Sequence, residues 1–191
     1  MTDKQTVILL SAYAQSGKDT AAHLIAQSLD AKQFYFAEPL YAMILTMFAH
    51  LDITLADLHR MKVNNERLPD CNVTVRQMLQ TLGTEWGRTY VSETIWPSIL
   101  AQKVKASGCK LAVVSDCRFV NEYHRIGGDG DFNTVTWFIS RDECQPQTHH
   151  KSEQELLLIQ KMANFQIDNN GSFENLEDEL AKAAIHAGIA N

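Results

Sequence analysis

Ser11-Ala12-Tyr13-Ala14-Gln15-Ser16-Gly17-Lys18-Asp19-Thr20 carries more structural information than any other segment of this 191-residue chain. It follows directly on residues 6–10, Thr-Val-Ile-Leu-Leu, a continuous β-branched and apolar run of the kind that forms a strand buried on both faces. It opens a segment in which Ala21, Ala22, Leu24, Ile25 and Leu29 make the apolar face of a helix. Strand, small-residue loop, Gly-Lys and helix form the setting that makes a phosphate-binding loop credible. Backbone N–H groups converge there on phosphate oxygens, and the new helix adds its positive N-terminal end. Ala14, Gln15, Ser16, Gly17, Lys18, Asp19 and Thr20 are therefore expected to hold the phosphates of a nucleotide such as ATP. Lys18 supplies a point charge able to follow the β/γ bridge during transfer. The bland alternative is a Gly-Lys turn before an ordinary helix, and the flanking strand and helix weigh against it. Two positions depart from the standard pattern. Ala12 stands where glycine is usual, and Asp19 replaces the hydroxyl that touches Mg²⁺. The metal ligand is then Asp19, Thr20 or a water held by either.

Short apolar runs recur at 33–37, 110–115, 134–140 and, more weakly, 164–168. Helical patterns lie between them, so the fold class is α/β, with about five mostly parallel strands and right-handed crossovers. In residues 74–86 Val75, Met78, Leu79, Leu82 and Trp86 share a helical face; Thr74 with Gln77 forms a capping box, and Gly87 is the expected terminator. Ser152 with Glu155 repeats the capping-box pattern, and Leu176, Leu180, Ala183 and Ala184 predict a C-terminal helix. Residues 91–107 are helical in pattern, with Pro97 either starting or kinking the helix. Residues 45–95 carry no strand signal and read as a helical lobe where an acceptor could be held. No Pro/Gly/Ser linker divides the chain, so residues 1–191 are expected to form one domain.

Composition excludes several classes. Seventeen basic against twenty-three acidic residues, a net charge of −6, disfavour a sequence-independent grip on polymeric nucleic acid. Cys71, Cys109, Cys117 and Cys144 show no metal-ligand spacing. The start of the chain lacks a signal-peptide pattern, and no apolar run approaches the ~20 residues of a membrane helix. A cytoplasmic protein without a membrane partner is the expectation. A homodimer stays open, because any patch for one would lie among helix faces that a monomer also needs.

The remaining polar clusters fall at strand ends and before helices. Asp116 and Arg118 follow the 110–115 run, where α/β sheets bind ligands; a water-mediated Mg²⁺ contact and a bridge to the transferring phosphate are their expected roles, against a helix N-cap and a surface arginine. Trp86 could stack on a base and Arg88 could grip an acceptor phosphate; the alternatives are core packing and a helix-dipole partner. His149-His150-Lys151-Ser152-Glu153 suggests an anion-facing lid over about 141–152, with Arg141 as a second donor and His150 and Glu153 on the substrate side. Glu38 is either an acceptor-site acid or a first-turn acid favoured by the helix dipole.

These segments together resemble the deoxynucleoside monophosphate kinases of bacteriophages. The resemblance rests on 12–20, Phe36-Ala37-Glu38-Pro39-Leu40, Leu79 to Arg88, Asp116-Cys117-Arg118-Phe119-Val120-Asn121-Glu122, His150-Lys151-Ser152-Glu153 and Asp168-Asn169-Asn170-Gly171-Ser172, in the family's order. Ala12 for glycine and Glu38 for the commoner aspartate are departures from that family. The resemblance implies a three-layer α/β/α P-loop fold, Mg²⁺ and ATP as donor, and a deoxynucleoside monophosphate as acceptor. Carried over by position, Lys18 and its loop would bind the donor phosphates, Glu38, Arg88, Asp116 and Arg118 would sit around the acceptor or the transferred group, and Asn169 would lie near the donor base. On the residues alone, Arg141 joins Lys18, Asp116 and Arg118 in the expected catalytic set, and Trp86 joins the acceptor site. Two other readings keep the loop. One is a kinase for another small acceptor, dephospho-coenzyme A or phosphomevalonate; the other is a nucleotide-binding module without catalysis.

Overall fold

The computed structural model describes residues 4–144 and 151–190. Five strands, β1 (Thr6–Ala12), β2 (Lys32–Phe34), β3 (Leu111–Val114), β4 (Asn133–Ser140) and β5 (Phe165–Asp168), form one sheet in the order β2-β3-β1-β4-β5. Every pairing is parallel. All five expected strands are present, and the α/β class holds. The register sets Leu9 against Val114, Ala12 against Ile139 and Ser140 against Asp168, so the loops after β1, β3, β4 and β5 leave from one edge.

The chain divides into two compact units, Met1–Tyr35 with Pro97–Asn191, and Phe36–Trp96. In the first, β1 is apolar at every position from Val7 to Leu10 because both its faces are covered. Ile8 and Leu10 share a core with Ile25 of α1 (Lys18–Ser28) and with Leu176 and Leu180 of α8 (Phe173–His186). Strand alternation turns Val7 and Leu9 the other way, and α7 (Lys151–Met162) packs on β1 and β4 while α6 (Val120–Gly127) packs on β4. Three layers result.

The second unit contains α2 (Glu38–Met47), α3 (Leu55–Val63), α4 (Val75–Gln80) and a π-helix, Thr81–Val91, around Leu40, Ile44, Leu58, Val75, Leu79 and Trp96. Among the described residues its only β feature is an isolated antiparallel bridge between Arg67 and Thr74. The Thr74–Gln77 capping box forms as expected. The α-helix does not run on to Trp86 and stop at Gly87. It widens at Thr81, and Ser92 N–H closes back on the Gly87 carbonyl at 2.9 Å, a five-residue step. The cause lies in Trp96. Its indole N–H donates to the Gly83 carbonyl at 2.8 Å, and its ring occupies the space where a side chain on Gly87 would begin. Helix α5 (Ile95–Ser107) holds Pro97 in its first turn, where a missing N–H costs nothing.

Candidate functional site

The phosphate loop resolves in detail. Ala12 ends β1 inside the sheet, and it is Gln15 (φ 67°) and Gly17 (φ 88°) that take the left-handed conformation. A glycine is therefore not required at position 12. Gln15 carries a conformation costing about 1–2 kcal/mol in a residue with a Cβ, strain of a kind that clusters at ligand sites. Helices α3, α4 and α8 each close their N-terminus with a side-chain capping box. Helix α1 has none, so its first N–H groups, from Gly17 onward, receive no side-chain cap. Beside them Ser16 Oγ is fully buried with no hydrogen-bond partner. An uncapped helix end and an orphaned buried hydroxyl in one loop are the donor set an anion requires. Lys18 reaches the Asp19 carboxylate at 2.6 Å; its own side chain is largely buried, whereas Asp19 is 76% exposed. Among the described residues no group of three or more His, Cys, Asp or Glu could hold a metal by itself.

Several expected residues join the loop at the same sheet edge. Ser11 donates to the Cys117 carbonyl at 2.9 Å, tying the end of β1 to the segment bearing Asp116 and Arg118. Asp116 is not the N-cap of α6, which begins four residues later. That end is held instead by Glu122, 2% exposed, whose Oε2 accepts from the N–H groups of Arg118 (2.8 Å) and Phe119 (3.1 Å). Glu155 of α7 adds a second acceptor and a third bond, from the Val120 N–H at 2.8 Å. Ser152 falls in the first turn of α7 with its side chain outside the described residues, and Glu155 accepts this long-range bond. Buried Ser115 Oγ, just before Asp116, has no partner. Arg141 follows β4 and pairs weakly with Glu143 at 3.8 Å. Asn169, after β5, donates from Nδ2 to the Ser16 carbonyl at 2.9 Å.

The helical unit carries the other candidates. Glu38 is the first residue of α2, an acid where the helix dipole favours one. Trp86 and Arg88 lie on the π-helix. Trp86 is 43% exposed rather than core, because the wider turn breaks its phase with Leu79 and Leu82, and it meets Trp96 at a ring distance of 6.3 Å. Arg88 donates to the Glu93 carbonyl at 3.4 Å. The lid candidate His150 lies outside the described residues, as does the side chain of Glu153. Sequence reasoning assigned no role to Glu122 or the carboxylate of Glu155 as loop braces. An acid three positions into a helix was the available signal for Glu122; none existed for Glu155.

A family model described as deoxynucleotide monophosphate kinase matches residues 51–180. The deoxynucleoside-5'-monophosphate kinase of Escherichia phage T5 is 46% identical over 50 residues, 26% of this chain and 20% of that protein. The match thus spans about a fifth of the length of that relative. Among solved structures, TT1252 from Thermus thermophilus aligns over 100% of both chains with a TM-score of 0.52 and 15% identity, a likeness of fold. Shikimate kinase from Acinetobacter baumannii, in complex with shikimate, aligns over 98% of this chain and 94% of its own with a TM-score of 0.47 and 11% identity.

Proposed function

Because this chain belongs to the deoxynucleotide monophosphate kinase family, we propose that it transfers the γ-phosphoryl of Mg-ATP to a deoxynucleoside 5'-monophosphate, giving the diphosphate. The observation that carries the donor half is the uncapped N-terminus of α1 beside the orphaned Ser16 hydroxyl and the largely buried Lys18. Those donors fit a triphosphate. Asp19 and Thr20, both exposed at the start of α1, fit the role of Mg²⁺ ligands, directly or through water. Mg-ATP, when bound, supplies the transferable phosphoryl group and the metal's share of charge neutralisation.

The work of the chain's own residues is alignment and neutralisation. Loop N–H groups hold the donor phosphates, and Lys18, released from Asp19, moves its charge onto them. Arg118 and Arg141, at the ends of β3 and β4, are the cations proposed to take up charge on the transferring group, with Asp116 orienting the acceptor or a metal-bound water. No general base is needed, since the attacking phosphate oxygen is already anionic. Glu38, Trp86 and Arg88 are proposed to receive the acceptor on the helical unit. Trp86 has enough exposed ring to stack on a base. No helix among the described residues is long and apolar enough to cross a membrane.

The test is a coupled ADP-release assay with Mg-ATP and each deoxy- and ribonucleoside monophosphate in turn. Release that depends on a deoxynucleoside monophosphate and is lost in Lys18→Ala is the expected result. If no monophosphate stimulates release while ATP still binds, the acceptor assignment fails, and dephospho-coenzyme A and phosphomevalonate become the acceptors to try.

A further inference from the structure

We propose that Asn169 is a positioning residue for the phosphate loop, a latch that sets the direction of the Gly17 N–H, and that its service is to the triphosphate rather than to the donor base. The inference rests on the donor reading given above. Its first support is the bond from Asn169 Nδ2 to the Ser16 carbonyl, 2.9 Å long and spanning 153 residues of sequence. The peptide between Ser16 and Gly17 is trans, so its carbonyl and its N–H point in opposite directions. Holding the Ser16 carbonyl toward Asn169 therefore turns the Gly17 N–H away from it. Gly17 is the N-cap of α1, and its N–H is the first of the uncapped donors at that helix end.

A second observation concerns the same nitrogen. A Cβ placed on Gly17 would collide with the same nitrogen, Asn169 Nδ2. The amide is thus packed against the loop's one glycine as well as bonded to the residue before it, and a side chain at Gly17 is opposed both by its φ of 88° and by Asn169.

The latch is itself anchored. The Asn169 N–H donates to the Ser140 carbonyl at 2.9 Å, and the neighbouring Asn170 accepts from the Asp142 N–H at 2.8 Å while bonding Asp168 at 2.6 Å through its own amide. Backbone bonds on either side of Arg141 thus fix the loop that holds Asn169. One short segment after β5 ties the phosphate loop to the start of the segment after β4, so a displaced latch disturbs a candidate cation as well as the loop amides. A merely base-reading asparagine would need neither the Ser16 bond nor the contact with Gly17.

The experiment compares the binding of inorganic tripolyphosphate and of ATP by calorimetry in the parent protein, Asn169→Ala and Asn169→Asp, with the thermal midpoint of each as a fold control. Loss of one ordinary hydrogen bond predicts that Asn169→Ala weakens both ligands by the same factor, about five- to tenfold. Asn169→Asp, which sets a carboxylate oxygen against the Ser16 carbonyl and a negative charge near the phosphates, weakens both further. Equal loss on a ligand that has no base, in variants with the parent's midpoint, sustains the latch. Loss of ATP affinity with tripolyphosphate unchanged would overturn it in favour of a base contact, and unchanged binding of both would overturn it outright. A parent protein that binds neither ligand would instead remove the donor reading itself.

Discussion

The sheet-bearing unit and the helical unit present their candidate ligand residues in different ways. In the first, the residues sit on loops, and each loop is held by bonds to distant parts of the chain. Asn169 bonds Ser16, Ser11 bonds Cys117, and Glu122 with Glu155 braces residues 118–120. In the second, Trp86 and Arg88 sit on a continuous helix whose winding is set by one aromatic side chain filling the space beside Gly87. A loop site of the first kind can be rebuilt bond by bond, each of modest worth. The π-helix here leans on one side chain, Trp96, through its bond to the Gly83 carbonyl and its ring beside Gly87, so a change there reaches the residues the helix carries.

The largest expected effect breaks the first region. Lys18→Ala should lower kcat/KM by about a hundred- to a thousandfold, the usual loss when a charge facing the transition state is removed. Activity within a few-fold of the parent in the ADP-release assay would refute the phosphate-loop scheme. Next comes the core of the second region. Leu58 is fully buried there, so Leu58→Ala should destabilise the protein by about 2–5 kcal/mol in urea titration. Tripolyphosphate affinity of the folded variant should stay within about twofold, because Leu58 packs among residues of the helical unit alone.

The two glycines sharpen the comparison. Gly87→Ala places a methyl about 2.6 Å from Cε2 of the Trp96 ring, which overpacks the unit at about 1–3 kcal/mol. Its kinetic signature should be a raised KM for the acceptor with the donor KM unchanged. Gly17→Ala meets a positive φ and Asn169, and should do the reverse, raising the donor KM. A matching change in both constants for both variants would dissolve the distinction drawn here. The smallest effect concerns acid. Hydrogen bonds from the Thr54 side chain and N–H hold the exposed Asp57 carboxyl below its ordinary value of 3.8. A depressed carboxyl pKa contributes stability above the unfolded value, and that contribution is lost as pH falls through the folded one. The parent should therefore lose slightly more thermal stability than Asp57→Asn as pH drops below about 4. Parallel curves would remove Asp57 from the account.

Much of the fold was legible in the chain because its elements are coded locally. Strands buried under helices on both faces must be apolar at every position, so residues 6–11, 110–115 and 134–140 announced themselves as runs rather than alternations. The phosphate loop is equally local, since ten successive residues carry the strand end, the turn and the helix start. The Thr74–Gln77 capping box was readable for the same reason. Trp86 was less so. Its spacing from Leu79 and Leu82 fits an α-helical core face, yet the ring stands half in solvent.

Sequence by itself determined the α/β class, the five strands, the strand–loop–helix of the candidate phosphate site and the acids and arginines at the strand ends, because each follows from the chemistry of neighbouring residues. Tertiary structure alone decided the rest. No pattern in residues 81–91 records that the indole of Trp96 will lie over Gly87 and widen the helix, and nothing near residue 16 announces a bond from residue 169. Both depend on which side chains the fold brings within a few ångströms of a backbone carbonyl. That proximity is a property of the folded chain and has no local signature along it.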